Sequence, residues 1–243
     1  MAVIAIYSVK GGVGKTTLAA NLAWCSAALA GRRTLLWDLD AAGGAGFLLG
    51  EEPDGDAPVG AVITGGAKAD KAIRTTAYPG LDLLPADESI RTIESQFAAL
   101  GKKKRLARLA DRLSAVYERI VIDCPPLLGE TSAQVIRAAD LVIVPLPPSP
   151  LSSRAFDLVA DQVRAHAKPH PPILPVLSML DLRRSLHRQV QAEHPRWPVI
   201  PYASAAEQSA VRRMPVGAFA SASAVAQSFA TLWAAIERKL AKT

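Results

Sequence analysis

Eight residues, Lys10-Gly11-Gly12-Val13-Gly14-Lys15-Thr16-Thr17, stand between an apolar run that ends at Val9 and the helical pattern LAANLAWCSAALAG. Glycines at 11, 12 and 14 let the backbone turn several N–H groups toward one anion. A helix that opens near Lys15 adds the positive end of its dipole. Strand, glycine loop and helix in this order are the context in which a G-x-x-x-x-G-K-[ST] loop cradles nucleotide phosphates. In that reading Gly11, Gly12, Val13 and Gly14 form the cradle. Lys15 neutralises the β- and γ-phosphates, the Thr16 hydroxyl coordinates Mg²⁺ and Thr17 contacts the α-phosphate. The pattern's first glycine is absent, and Ser8-Val9-Lys10 stand there instead. A second lysine therefore lies at the mouth of the loop.

The rest of the chain repeats the same alternation. Apolar runs AVIAIYSV, RTLLWDLD, LDLLPA, RIVIDCPP, DLVIVPL, PILPVLSML and PVIPY are separated by helical patterns at 15–31, 103–116, 131–139, 152–166, 185–194 and 222–240. Continuous apolar strands joined by helices predict an α/β fold, a doubly wound and mostly parallel sheet covered by helices on both faces. With no repeat and no long linker, residues 1–243 read as a single domain. The glycine-rich stretch after WDLD, residues 41–77, reads as a loop with short helices. Its place after a strand puts it where open sheets bind ligands.

Composition removes several function classes. No apolar run reaches the roughly 20 residues a membrane span needs, and the start MAVIAIYSVKGG lacks the basic n-region of a secretory signal. A cytoplasmic location is expected. Cys25 and Cys124 have no CxxC or CxxH neighbour and read as buried free thiols. The net charge of +6 permits a polyanionic partner without naming one.

Lys10 ahead of the loop resembles the deviant Walker A family of P-loop ATPases, which includes ParA partition proteins, MinD, arsenite-pump ATPases and nitrogenase iron proteins. The resemblance implies ATP and Mg²⁺ as cofactors, slow and partner-stimulated ATP hydrolysis, and an ATP-sandwich homodimer in which Lys10 reaches the partner's phosphates. LLWDLD resembles the family's switch I, with Asp40 positioning the attacking water and Asp38 near the magnesium shell. RIVIDCPP resembles Walker B and switch II, with Asp123 holding Mg²⁺ through water. The catalytic set is then Lys10, Lys15 and Asp40, and the metal set Thr16, Asp38 and Asp123.

Within that family the chain is most similar to short, orphan ParA proteins. SMLDLRRSLHRQV resembles the ParA segment T-x-[FY]-D-x-R-T-x-L, carried by Ser178, Asp181, Arg183, Ser185 and Leu186. VIPYASAAEQSAVRRMPV resembles the final strand and the loop that holds adenine and ribose, with Pro201 in contact with the nucleotide. The family's D-x-D-P-Q is here Asp38-Leu39-Asp40-Ala41-Ala42. Its lost proline and amide bear on the hydrolysis rate. PLPPSP at 145–150 resembles ParA-like proteins that position cargo other than DNA.

The resemblance also implies a nucleoid-associated protein that binds DNA without sequence preference through Arg183, Arg184, Arg188, Arg212 and Arg213. It would work with an adaptor or activator, ParB-like or cargo-linked. A second basic set, Lys102 to Arg105 with Arg108 and Arg112, lies opposite Leu106, Leu109, Leu113 and Val116 and reads as a solvated helix face. Two other functions share the fold: a MinD-like membrane positioner and an amide-forming biosynthetic ligase. Val225, Phe229, Leu232, Trp233 and Ile236 at helical spacing read as core, which argues against a membrane-binding tail.

Overall fold

In the computed structural model, which describes residues 1–51, 58–100 and 104–241, β1 (Ala2–Ile6) is the strand about which the sheet is organised. The other strands are β2 (Thr34–Asp38), β3 (Arg74–Thr75), β4 (Leu81–Leu84), β5 (Arg119–Asp123), β6 (Leu141–Leu146), β7 (Ile173–Leu180) and β8 (Val199–Pro201). They form one sheet in the order β3-β4-β2-β5-β1-β6-β7-β8. Every neighbouring pair is parallel except β3 with β4. The chain leaves β1 toward β2 on one side and later crosses it from β5 to β6 on the other. The carboxyl end of β1 is thus a switch point, where such sheets open a crevice for ligands.

Alternation along each central strand divides the core in two. Val3, Ala5, Leu35, Trp37, Ile120 and Ile122 face one layer, while Ile4, Ile6, Leu36, Val121, Leu141 and Ile143 face the other. Both faces are dry, which is why these strands read as unbroken apolar runs. The second layer is covered by α1 (Lys15–Trp24), continued by a π-helical turn at Cys25–Leu29, and later by a long C-terminal helix. Over the first layer lie α3 (Val59–Thr64), α4 (Ile93–Leu100), α5 (Arg105–Leu113), α6 (Glu130–Ala138) and α7 (Pro150–His166). Before them comes the short α2 (Gly44–Leu48), and after them α8 (Ser185–Glu193), α9 (Ser204–Arg212), α10 (Val216–Phe219) and the C-terminal α11 (Ala224–Leu240).

Several expectations are met. Among the described residues, 41–77 carry short helices as expected, and also the two-residue strand β3, which was not expected. Val225, Phe229, Leu232, Trp233 and Ile236 are buried core on α11, and Cys25 and Cys124 are buried free thiols. Others need correction. The helix expected over 15–31 loses α-geometry at Cys25, and the strand through WDLD stops at Asp38. Residues 204–212, read as loop, form α9. No element was expected between the strand at β4 and residue 103, yet α4 lies there behind a 3₁₀ turn capped by the Asp87 side chain. Val116 is exposed because α5 ends at Leu113. Lys102 and Lys103 of the second basic set lie outside the described residues.

Candidate active site

From β1 the chain enters the glycine loop through the buried Tyr7 and Ser8. Gly12 and Gly14 adopt φ of 69° and 89°, left-handed values that cost an L side chain roughly 1–2 kcal/mol. Gly14 is the N-cap of α1, and no side chain caps that helix. The amides of its first turn are therefore available to an anion. From the far side of the crevice Ser178 Oγ donates to the Val13 carbonyl at 3.0 Å, pinning the loop to the end of β7. The neighbouring Met179 is itself left-handed, at φ 55°.

Lys15 opens α1 with only 6% of its surface exposed, and its Nζ donates to the Lys10 carbonyl at 3.3 Å. Burial lowers its pKa, while the charges of Asp123 and Asp40 act in the opposite direction. Lys10 is half-buried on the lip of the loop, and its side chain forms no ion pair among the described residues. One lysine is thus turned into its own site while the other stays at the rim.

Strand register brings the carboxylates to the loop. Asp38 pairs with Asp123 across β2 and β5, and Asp123 pairs with Ile6 at the end of β1. Both aspartates are fully buried. Asp38 has an amide for each oxygen: Asp40 N donates to Oδ1 at 3.0 Å, and Ala45 N donates to Oδ2 at 2.9 Å. These two bonds turn the chain out of β2 and into α2. The turn favours glycine: Gly43 is left-handed at φ 65°, and a Cβ on Gly44 would crowd Thr16 Cγ2 at 3.0 Å. Asp40 sits beyond the strand end, partly exposed, with Oδ1 accepting from Ala42 N at 3.1 Å.

Neither oxygen of Asp123 has a hydrogen-bond partner among the described residues, although both are buried. Burial first, and then the charge of Asp38, push its carboxyl well above the usual carboxylate range, and Thr16 and Lys15 offset this only in part. An orphaned buried carboxylate beside a threonine hydroxyl is a donor set that suits a hard divalent cation. Among the described residues no three His, Cys, Asp or Glu side chains gather as a self-sufficient metal site. Mg²⁺ sites take one or two carboxylates and complete their shell with water and substrate phosphate. Asp123 and Thr16 fit the role, with Asp38 braced beside them.

Past the loop opens a cavity of about 300 Å³ lined by Gly14, Thr17, Leu18, Pro201, Tyr202 and Phe229, among others. Its mostly apolar walls, continuous with the phosphate loop, match the size and character of a small-ligand pocket. Pro201, expected from the resemblance to contact the nucleotide, ends β8 and lines this cavity. Tyr202 and Glu207 line the same cavity and are hydrogen-bonded to each other.

Comparison with known proteins agrees with this geometry. The AAA domain family matches residues 1–169. The sporulation initiation inhibitor protein Soj of Bacillus subtilis is 33% identical over 197 residues, covering 79% of this chain and 78% of Soj. The chromosome partitioning protein ParA of Caulobacter vibrioides is 36% identical over 198 residues, covering 77% and 73%. The chain belongs to the ParA/Soj-type family of P-loop ATPases. Among solved structures, cobyrinic acid a,c-diamide synthase from Mycobacterium smegmatis, with bound ATP analog and magnesium, superposes with a TM-score of 0.83 at 28% identity, covering 98% of this chain and 94% of that one. A Cyanothece McdA(D38A)-ATP complex gives 0.84 at 20% identity over 98% and 96%, a likeness of fold.

In this ParA/Soj-type chain the arginines singled out from sequence fall into two groups. At the β7–α8 corner, Arg183 donates from Nε and Nη2 to both oxygens of Asp181, at 2.8 and 2.9 Å, and holds that carboxyl down to about 2. Arg188 Nη1 donates to the carbonyls of Leu182 and Arg183, while Arg184 precedes α8 as its N-cap. At the end of α9, Arg212 lies over the Phe219 ring at 5.0 Å. Arg213 stacks on Phe47 at 4.8 Å, and its Nη2 donates to the Glu51 carbonyl at 3.1 Å. Arg213 therefore fastens α9 to α2. Its left-handed backbone, φ 54°, ends the helix and aims it there.

Sequence reasoning missed two further supports. Tyr7 Oη donates to the Leu127 carbonyl at 2.9 Å and steadies the segment after Asp123. Glu94 accepts from the amides of Glu130 and Thr131 and from the Thr131 hydroxyl, capping α6 from outside. An isolated glutamate in a segment with no expected element carries no such signal.

Proposed function

We propose that this ATPase is a nucleotide-controlled dimerising switch that binds DNA without sequence preference in its ATP state and positions a DNA or protein cargo, stimulated by an adaptor. The observation that carries the proposal is the division of labour between the two lysines: Lys15 buried beside Asp123 and Asp40, Lys10 on the lip with no ion pair among the described residues. A single phosphate site already served by Lys15 gains little from a second in-cis ammonium. A second subunit's γ-phosphate gains a charge-assisted contact.

ATP is the substrate. The amides of the glycine loop and of the first turn of α1 hold its phosphates, Lys15 neutralises the β,γ pair, and the cavity beside Pro201 takes the base. When bound, Mg²⁺ supplies charge neutralisation on the phosphate oxygens, and Thr16 and Asp123 are the residues that would hold it. Asp40, partly exposed beside Lys15, accepts a hydrogen bond from the attacking water and aims it. Asp38, locked by two amides, fixes the turn that carries Asp40. Ala41 and Ala42 offer no side-chain hydrogen-bonding group next to Asp40, in keeping with slow intrinsic turnover.

In the ATP state two copies present their arginines on one body, and independent phosphate contacts add in free energy, so dimerisation strengthens DNA binding. Among the described residues no helix is long and apolar enough to cross a membrane. The proposed place of action is the nucleoid.

The test is a DNA-binding titration with ATP, ADP and no nucleotide, with sizing alongside. ATP is expected to produce a dimer and to raise DNA affinity at least tenfold. Lys10→Ala is expected to keep nucleotide binding and lose both effects. DNA affinity identical with and without ATP would sink the switch. The likeness to the diamide synthase at 28% identity supports a second reading, an ATP-dependent amide-forming ligase. It would be recognised by turnover that appears only when a carboxylic acid and an amine donor are added.

A further inference from the structure

The second basic set, dismissed from sequence as a solvated face, has a defined shape in the structure. Arg105, Arg108 and Arg112 occupy positions i, i+3 and i+7 of α5, so they share one side of the helix over about 10 Å of its length. Against that side lie Gly65, Gly66 and Lys68, which follow α3. Together they bound two adjoining hollows of about 400 and 530 Å³ that share Gly65 and Arg112. The fold pairs Arg32, Arg33, Arg119, Arg137, Arg164 and Arg183 with carboxylates. Among the described residues it gives none to Lys68, Arg105, Arg108 or Arg112. Asp111, the one carboxylate among the residues lining the hollows, forms no ion pair with them. Arg105 Nε is buried without a hydrogen-bond partner.

We propose that the α3–α5 face is a second polyanion-binding surface that takes the phosphate backbone of duplex nucleic acid, independently of ATP and of dimerisation. Three arginines spread over about 10 Å of helix can each face a different phosphate of one strand, where charges recur every 3.4 Å of duplex axis. An anionic membrane fits less well. A membrane-surface helix inserts an apolar side, and the apolar residues of α5, Leu106, Leu109 and Leu113, are already in the core. The face is also distinct from the β7–α8 corner. α5 packs on α6 and α6 on α7, and α8 lies beyond α7, with which it shares a separate hollow.

The experiment uses the full chain without nucleotide, a short labelled duplex of arbitrary sequence, and salt varied from about 50 to 200 mM. Arg108→Glu with Arg112→Glu is expected to weaken low-salt binding at least tenfold. It should shrink the slope of log affinity against log salt by about 2, at 0.9 per phosphate contact. Arg108→Lys with Arg112→Lys should keep most of the affinity, and ATP turnover should be unchanged in both, which reports intact folding. Arg183→Glu with Arg184→Glu should remove only the increment added by ATP, so failure of the switch and failure of this surface are read separately. Unchanged affinity and slope in the α5 charge reversal would overturn the proposal. So would loss of all nucleotide-free binding in the α8 variant. Flotation with anionic phospholipid vesicles that depends on Arg108 and Arg112, with no DNA binding, would overturn it in favour of a membrane partner.

Discussion

The carboxyl ends of β1, β2 and β5 and the corner formed by β7, α8 and α9 both carry charged side chains, but the fold treats them oppositely. Around β1 the charges are buried at a cost: Lys15, Asp38 and Asp123 are all below a tenth exposed, and Asp123 has no hydrogen-bond partner among the described residues. At the corner the arginines are exposed apart from the half-buried Arg213, and most rest on local partners such as Asp181, Phe219 and Phe47. A buried, incompletely satisfied cluster is tolerated where something is to be bound. A solvated, locally paired one costs little and reveals little. The first region should therefore respond to substitution in nucleotide binding, and the second in DNA contacts and, at Arg213, in local packing.

Removing the charge that the first region is built around gives the largest expected effect. Lys15→Ala should lower ATP affinity by at least 100-fold, about 2.8 kcal/mol, measured by calorimetry. The loop loses its only buried ammonium while its amides remain. Affinity within a factor of three of the unaltered chain would break the comparison at its strongest point.

That contrast also explains which parts were readable from sequence. β1, the glycine loop and α1 were legible because three independent signals coincide there: a dry strand, glycines at φ-permissive positions and an uncapped helix start. The pairing of Asp38 with Asp123 follows from register, which sequence does not print, although two strand-end aspartates hinted at it. α9 was read as loop because its one buried residue is Ser209, so ASAAEQSAVRR offers no apolar stripe to recognise. α2 and α3, of five and six residues, are too short and glycine-rich to show a period. The arginines were located correctly as residues, but sequence could not separate Arg213, which fastens two helices, from Arg184 beside it in charge but not in contacts.

The next effect is in stability, and its sign is opposite to the usual one for a core substitution. Asp123 has a folded-state pKa raised above its unfolded value near 4. The folded form then binds the proton more tightly, so protonation stabilises the fold below that value. This stabilisation is lost progressively as pH rises from about 4 through the raised folded-state range. Asp123→Asn removes the ionisation penalty while keeping the shape. In metal-free and nucleotide-free buffer it should raise the melting temperature at pH 8, with a smaller change at pH 5, while weakening magnesium-dependent ATP binding. Equal melting shifts at both values would mean that Asp123 is not strained by burial.

The smallest expected effect lies in the second region and separates two arginines of like charge. Arg213 contributes a cation–π contact with Phe47 and a charge-assisted bond to the Glu51 carbonyl, and its left-handed backbone already carries strain. An exposed cation–π pair and one such hydrogen bond are worth roughly 0.5–1 and 1.5 kcal/mol. Solvent at this site keeps the sum near the lower end. Arg213→Ala should therefore destabilise the chain by about 2 kcal/mol in urea unfolding, with the midpoint shifted and the slope unchanged. Arg184→Ala, at a helix N-cap with no side-chain capping bond, should stay within about 0.5 kcal/mol of the unaltered protein. Because α2 follows directly on Asp40, loosening α9 from it should also slow ATP turnover in the Arg213 variant and leave the Arg184 variant unaffected. Equal stability and equal turnover in the two would show that Arg213 is an ordinary surface charge and that the corner contains no structural arginine.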